Sequence, residues 1–172
     1  MKLLHNIGVS PSTDPRVSSN YNTREEILAC DEPLSFDGIY LNVWENRDVL
    51  KGKDVTLFVM GSYVGKDNSF DTGMPYEKYC DWNQIMDILY VGEGKFKLGW
   101  HTWNHPDLRY VDDEMLLKEM TPPFAMETFA APYGAFDERV KKLADEIGYY
   151  DAYSVTQGDG TQFAKVRTYL NK

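Results

Sequence analysis

The chain has 172 residues, 42% hydrophobic and 26% charged, with a net charge of −9 at pH 7. That length and balance suit one soluble domain over 1–172, large enough to bury about 70% of its unfolded surface without disulfides. The negative charge argues against nucleic acid, whose phosphates call for Lys and Arg, and against anionic membranes; a neutral glycan is compatible.

Met1-Lys2-Leu3-Leu4-His5-Asn6 lacks the apolar core of a signal peptide. No apolar run reaches the length of a membrane span. As given, the chain reads as cytoplasmic, with export by another route left open. Residues 8–22, rich in Ser, Pro, Thr and Asn, predict an irregular N-terminal arm within residues 1–22. Thr23-Arg24-Glu25-Glu26 has the form of a capping box and opens a short helix through Cys30, stopped by Pro33. A strand follows over Leu34–Phe36 and ends at Asp37. Asn42 to Leu50 suits a helix. Val55–Met60 is a continuous apolar run closed by Gly61, the pattern of a parallel strand buried on both faces. Lys66 to Pro75 reads as a surface loop. Tyr79, Trp82, Met86 and Leu89 recur at helical steps and predict a helix over Tyr76–Leu89.

Phe96–Trp100 predicts a strand running into His101. Asp112 or Asp113 caps a helix through Met120, ended by Pro122-Pro123. Glu127–Ala131 is a strand leading into Pro132-Tyr133-Gly134. Asp137 to Ile147 carries an apolar stripe of Val140, Leu143, Ala144 and Ile147, with Gly148 as its stop. Ala152–Val155 is a strand, Gly158-Asp159-Gly160 a turn, and Phe163–Leu170 a last strand. Strands alternate with helices, which implies a parallel α/β arrangement. Cys30 and Cys80 form no C-x-x-C motif and read as small apolar thiols, with a disulfide left open.

Two of the three histidines stand four apart, in Gly99-Trp100-His101-Thr102-Trp103-Asn104-His105-Pro106. On a helical turn such residues project from one face, and two imidazoles so placed can bind one metal ion. The same spacing also occurs on solvated turns. The Glu that follows the first His in zinc proteases is replaced by Thr102, which disfavours protease chemistry. Two further motifs flank the pair: Ser35-Phe36-Asp37-Gly38 upstream and Ala131-Pro132-Tyr133-Gly134 downstream. All three follow predicted strand ends, where α/β folds place their sites.

Together, in this order, S-F-D-G, H-T-W-N-H-P and A-P-Y-G resemble the polysaccharide deacetylase family, also called the NodB homology domain or carbohydrate esterase family four. The resemblance covers roughly residues 33 to 155 and includes the strand segment Val55–Gly61. It implies a distorted (β/α) barrel with fewer than eight regular strands. It implies a hydrolase removing N-acetyl groups from an N-acetylglucosamine-containing polysaccharide or oligosaccharide. It also implies a divalent metal, of the zinc type, held by Asp37, His101 and His105.

Within that resemblance Asp37 and Tyr133 are the catalytic candidates. The family has two adjacent aspartates, a base and a metal ligand; here one Asp precedes Gly38, so Asp37 is the base, the ligand, or both. The backbone N–H of Tyr133 is the expected oxyanion donor, and Pro132, Tyr133 and Trp103 are expected to contact substrate. The family's Arg two residues before the Pro is Ala130, and no histidine follows His105 to act as the late general acid. Asp151 and Asp159 are the nearest C-terminal proton donors, and both read as ordinary loop or strand-edge residues. The rival reading is a catalytically degenerate relative that binds glycan or serves a structural role.

Overall fold

The computed structural model describes residues 1–8, 10, 13–18, 20–71, 74–155 and 159–170. Parts of the expected arm at 8–22, of the 66–75 loop and of the 158–160 turn lie outside the described residues. Contacts divide the chain into two compact units. The first is Met1–Leu57 with Tyr63–Lys97 and Tyr169–Lys172; the second is Phe58–Ser62 with Leu98–Thr168.

The first unit contains β1 (Lys2–Leu4), β2 (Asn6–Ile7), α1 (Pro15–Ser18), β3 (Tyr21–Asn22), α2 (Arg24–Ala29), β4 (Leu34–Asp37), α3 (Leu41–Glu45), most of β5 (Val55–Val59) and α4 (Trp82–Val91). β1 pairs parallel with β4, setting Leu3 opposite Ser35 and Leu4 opposite Phe36. β2 pairs parallel with β3. All five residues of β5 are buried, as its continuous apolar run predicts, and all four of β4 are buried although Ser35 and Asp37 are polar. The capping box at Thr23 is present: Thr23 Oγ1 accepts from the Glu26 N–H, and Glu26 Oε2 accepts from the Thr23 N–H.

Three expectations in this unit need correction. The N-terminal strands β1 and β2 were not expected, because runs of two or three residues carry no readable period. The helix expected over 42–50 stops at Glu45 and continues as a 3-10 turn over Arg47–Leu50. The break falls at Asn46, whose side chain donates to Asn42 O, competing with the helix ladder. α4 begins at Trp82 rather than Tyr76, because Asp81 and Gln84 form a second capping box. Upstream of it, Lys78 and Tyr79 are held in antiparallel bridges to Asp67 and Tyr40.

The second unit contains β6 (Lys97–Trp100, all but its first residue), α5 (Asp113–Met120), β7 (Thr128–Ala130), α6 (Glu138–Ile147), β8 (Asp151–Ser154) and β9 (Lys165–Val166). β10 (Thr168–Tyr169) begins where this unit ends. β6–β7, β7–β8 and β8–β9 all pair parallel. Asp112 caps α5, Asp137 caps α6, and Gly148 ends α6 at φ 92°, in the left-handed region. The single last strand expected over 163–170 is two short ones. They part at Arg167, which is fully buried with its guanidinium 5.0 Å from the Phe58 ring and 5.9 Å from that of Tyr153.

Hydrogen bonding orders the strands β10-β1-β4-β5-β6-β7-β8-β9. Parallel strands joined through helices, several of them only two or three residues long, are the expected distorted (β/α) barrel class with fewer than eight regular strands. Asp37 ends β4, Trp100 ends β6 and Ala130 ends β7, so each motif sits at the C-terminal end of a parallel strand. Among the described residues, no helix is long and apolar enough to cross a membrane.

Both cysteines are free thiols, Cys80 buried and Cys30 partly exposed. Burial pushes the Cys80 thiol up to about 12, so its thiolate, the reactive form, is scarce at pH 8. A maleimide at pH 8 is expected to label Cys30 alone in the folded protein and both cysteines in urea. Equal labelling of the two in the native state would contradict this burial.

Candidate active site

The second unit brings His101, His105 and Tyr133 together. His101 follows β6 directly and is 2% exposed. Its Nδ1 lies 2.7 Å from Ala130 O. A carbonyl only accepts, so Nδ1 carries the proton and donates, and in the neutral ring Nε2 is the lone-pair nitrogen. Backbone carbonyls fix metal-ligating histidines in this way. The His101 and His105 rings are 5.0 Å apart at 67°, and the His105 and Tyr133 rings 4.8 Å apart at 67°.

The pair does not sit on a helical turn, as the four-residue spacing suggested. Residues 101–105 form a loop in which Thr102 (φ 69°) and His105 (φ 59°) adopt left-handed backbone. Non-glycine residues rarely hold that conformation, and it persists where surrounding contacts over-determine it. Here every backbone N–H from 101 to 105 except that of Thr102 has a named acceptor. His101 N–H donates to Val59 O, and His105 N–H donates to Thr102 Oγ1. The Trp103 and Asn104 N–H groups both donate to Glu119 Oε2 at 2.8 Å. In return Thr102 O and Trp103 O accept from the Gly61 and Ser62 N–H groups, both at 3.0 Å.

Trp103 is half-buried. Its ring meets Trp100 edge-on at 5.0 Å, its Nε1–H donates to Thr121 O, and it covers Gly61 so closely that a Cβ there would lie 2.4 Å from it. Trp100 is fully buried. Of the aromatic residues in or beside the motifs, Tyr110 and Tyr133 are the exposed ones, at 82% and 66%. Flat ring faces of that kind suit stacking on a sugar.

Pro132–Gly134 is a 3-10 turn in which Tyr133 has φ 58° and Gly134 φ 65°. Ser154 Oγ donates to Gly134 O at 2.7 Å, which pins the turn to β8. Pro132 is buried beneath it.

In the first unit, Asp37 is 7% exposed at the end of β4, followed by Gly38 at φ 65°. Among the described residues no group of three or more His, Cys, Asp or Glu side chains is arranged to hold a metal ion. What fits a zinc-type ion is the pair of imidazoles, with His101 in the ligating tautomer. The C-terminal acids are committed elsewhere. Lys141 at 2.6 Å and the Thr161 hydroxyl hold Asp159 well below the usual carboxylate range, so it stays ionised and cannot donate a proton at neutral pH. Asp151 pairs with Lys165 at 2.5 Å. Glu119 was not singled out from the sequence; a lone Glu near a helix end carries no signal that its carboxylate turns inward.

Set against known proteins, residues 33–152 match the family model described as polysaccharide deacetylase. No curated protein matches the chain by sequence. Among solved structures, the Streptococcus pyogenes deacetylase PplD in complex with acetate superposes with a TM-score of 0.74 at 15% identity, covering 98% of this chain and 91% of that one. IcaB from Ammonifex degensii gives 0.66 at 17%, covering 98% and 90%. A de-N-acetylase from Aggregatibacter actinomycetemcomitans gives 0.70 at 11%, covering 99% and 95%. At these identities the likeness establishes the fold.

Proposed function

The chain belongs to the polysaccharide deacetylase family, and from that premise we propose that it hydrolyses N-acetyl groups of an N-acetylglucosamine-containing polysaccharide or oligosaccharide. The observation that carries this reading is the imidazole pair, with buried His101 oriented by Ala130 O and part-exposed His105 packed against Tyr133. In the reaction a water oxygen adds to the acetyl carbonyl, the C–N bond breaks, the sugar nitrogen takes a proton and acetate leaves. The PplD structure holds acetate, the product this chemistry would release.

His101 and His105 would hold a divalent ion, for which zinc suits the nitrogen donors. Such an ion supplies a water acidified from 15.7 to about 7 and polarises the carbonyl. Asp37, buried at the end of β4, is the carboxylate that the family resemblance gives as ligand or base. The Tyr133 N–H, presented by the left-handed turn, donates to the developing oxyanion, a contact of a kind worth about 10²–10³ in rate. The exposed Tyr133 ring offers a face to the sugar, and Trp103 and Pro132 remain the other candidate contacts.

Because the oxyanion donor is backbone, Tyr133→Phe is expected to keep kcat within about threefold, well short of the 10²-fold loss of a missing donor. Tyr133→Pro removes the N–H and also breaks the turn, because proline fixes φ at about −65° where Tyr133 holds 58°, so it is expected to lose at least that factor. Steady-state acetate release on chitin oligomers checks both.

The reading itself is tested by acetate release from N-acetylated chitin and peptidoglycan oligomers, with metal-free protein titrated with Zn²⁺ or Co²⁺. Metal-stimulated release supports it. Glycan binding without release would favour a degenerate, glycan-binding relative instead, a reading supported by Ala130 in place of the family's Arg and by the lack of a histidine after His105.

A further inference from the structure

Glu119 lies on the last turn of α5 and is 1% exposed. Oε2 accepts from the N–H groups of Trp103 and Asn104, and Oε1 accepts from Asn104 Nδ2 at 2.6 Å. Its main-chain carbonyl accepts from Trp100 Nε1 at 2.8 Å. One residue therefore holds the strand end before His101 and both central amides of the loop between the two histidines. A buried ionised acceptor makes stronger bonds to N–H groups than a neutral one, and a buried carboxylate is retained only where its oxygens are satisfied.

We infer that Glu119 is a positioning residue for the His101–His105 pair. The loop must hold Thr102 and His105 in left-handed backbone, a conformation that relaxes unless something outside the loop resists it. The amides of Trp103 and Asn104 lie between those two strained positions. Fixing them to one carboxylate sets the turn, and the turn sets where the His105 ring stands relative to His101. Glu119 acts through these amides and touches neither imidazole's proposed ligand atoms. The inference rests on the proposed function for its purpose, and on the hydrogen bonds alone for its geometry.

The test is Glu119→Gln, which keeps the shape and removes the charge, beside Glu119→Ala. In the metal-free parent protein, NMR is expected to show slow exchange of the Trp103 and Asn104 amides and a cross-peak between the two imidazoles, whose rings are 5.0 Å apart. Glu119→Gln is expected to fold with a near-parental melting temperature, to exchange those two amides at least about tenfold faster, and to weaken the ring–ring cross-peak. Zn²⁺ affinity, measured by competition with a chelator, is expected to fall about 10–100-fold, as for outer-shell partners of metal ligands. Glu119→Ala is expected to show the same pattern more strongly.

Faster amide exchange with an intact ring–ring cross-peak would make Glu119 merely structural and overturn the inference; so would unchanged exchange. If the parent takes up no Zn²⁺, the metal-dependent reading falls, while exchange and cross-peak in the metal-free protein still decide the role of Glu119.

Discussion

His101→Ala is expected to abolish acetate release, a fall of at least about 10⁴-fold, since without a bound ion the attacking water reverts from a pKa near 7 towards 15.7. The same substitution removes the proton that Nδ1 donates to Ala130 O at 2.7 Å, leaving a buried carbonyl without that partner. That loss costs about 1–3 kcal/mol. His101→Ala should therefore melt lower yet still fold, and under the proposed metal-dependent mechanism it should no longer take up Zn²⁺. His101→Gln separates the two effects, because the amide N–H₂ can reach the carbonyl while ligation is lost. A variant with parental turnover would remove His101 from the chemistry.

Gly134→Ala is expected to be the most damaging single-methyl change in the second unit. Gly134 sits at φ 65°, and a Cβ there would lie 2.6 Å from the backbone nitrogen of Val155. A backbone atom inside a pinned turn cannot swing away as a side-chain tip can. Left-handed backbone in an L-residue adds about 1–2 kcal/mol, and overpacking a tight site typically about 1–3 kcal/mol. At this chain length roughly 2–4 °C is lost per kcal/mol. A drop in melting temperature of about 5–15 °C is expected by differential scanning calorimetry. The substitution also displaces the Tyr133 N–H, so kcat should fall along with stability. A change of under 2 °C would show that the turn is looser than its hydrogen bonds indicate. Gly61→Ala tests a related overlap without the backbone strain: its Cβ would meet the rings of Trp100 and Trp103 at 2.4 Å, and both indoles are held by hydrogen bonds to main-chain carbonyls.

Local, short-range signals carried much of this protein's design. The capping residues Thr23, Asp112 and Asp137 and the stop at Gly148 act within one helical turn, so their pattern alone places the helix ends. The apolar run of β5 is similarly self-sufficient, since a strand buried on both faces has no polar side to display. The helix at 41–45 ends where the Asn46 side chain donates to Asn42 O, a local competition that apolar spacing does not display. Other elements depend on distant partners. The 76–81 stretch is drawn out of helix by bridges to residues 40 and 67. The final strand parts at Arg167, where a buried guanidinium stacks on rings contributed from β5 and β8.

At the site, residue types and their spacing were enough to mark Asp37, His101, His105 and Tyr133 and to point to their family, because a catalytic motif is a short, chemically narrow string. The spacing of the histidines, however, suggested a helical turn, and the protein instead uses a loop with two left-handed residues. Only the fold could decide that, because a left-handed turn is stabilised by acceptors supplied from elsewhere in the chain. Val59, Ala130 and Glu119 supply them here. What the amino-acid string determined by itself was the family and the strand end at which each motif stands. What folding alone determined was the tautomer of His101, the posture of Tyr133 and the buried carboxylate behind the loop, since each depends on a hydrogen bond between residues far apart in sequence.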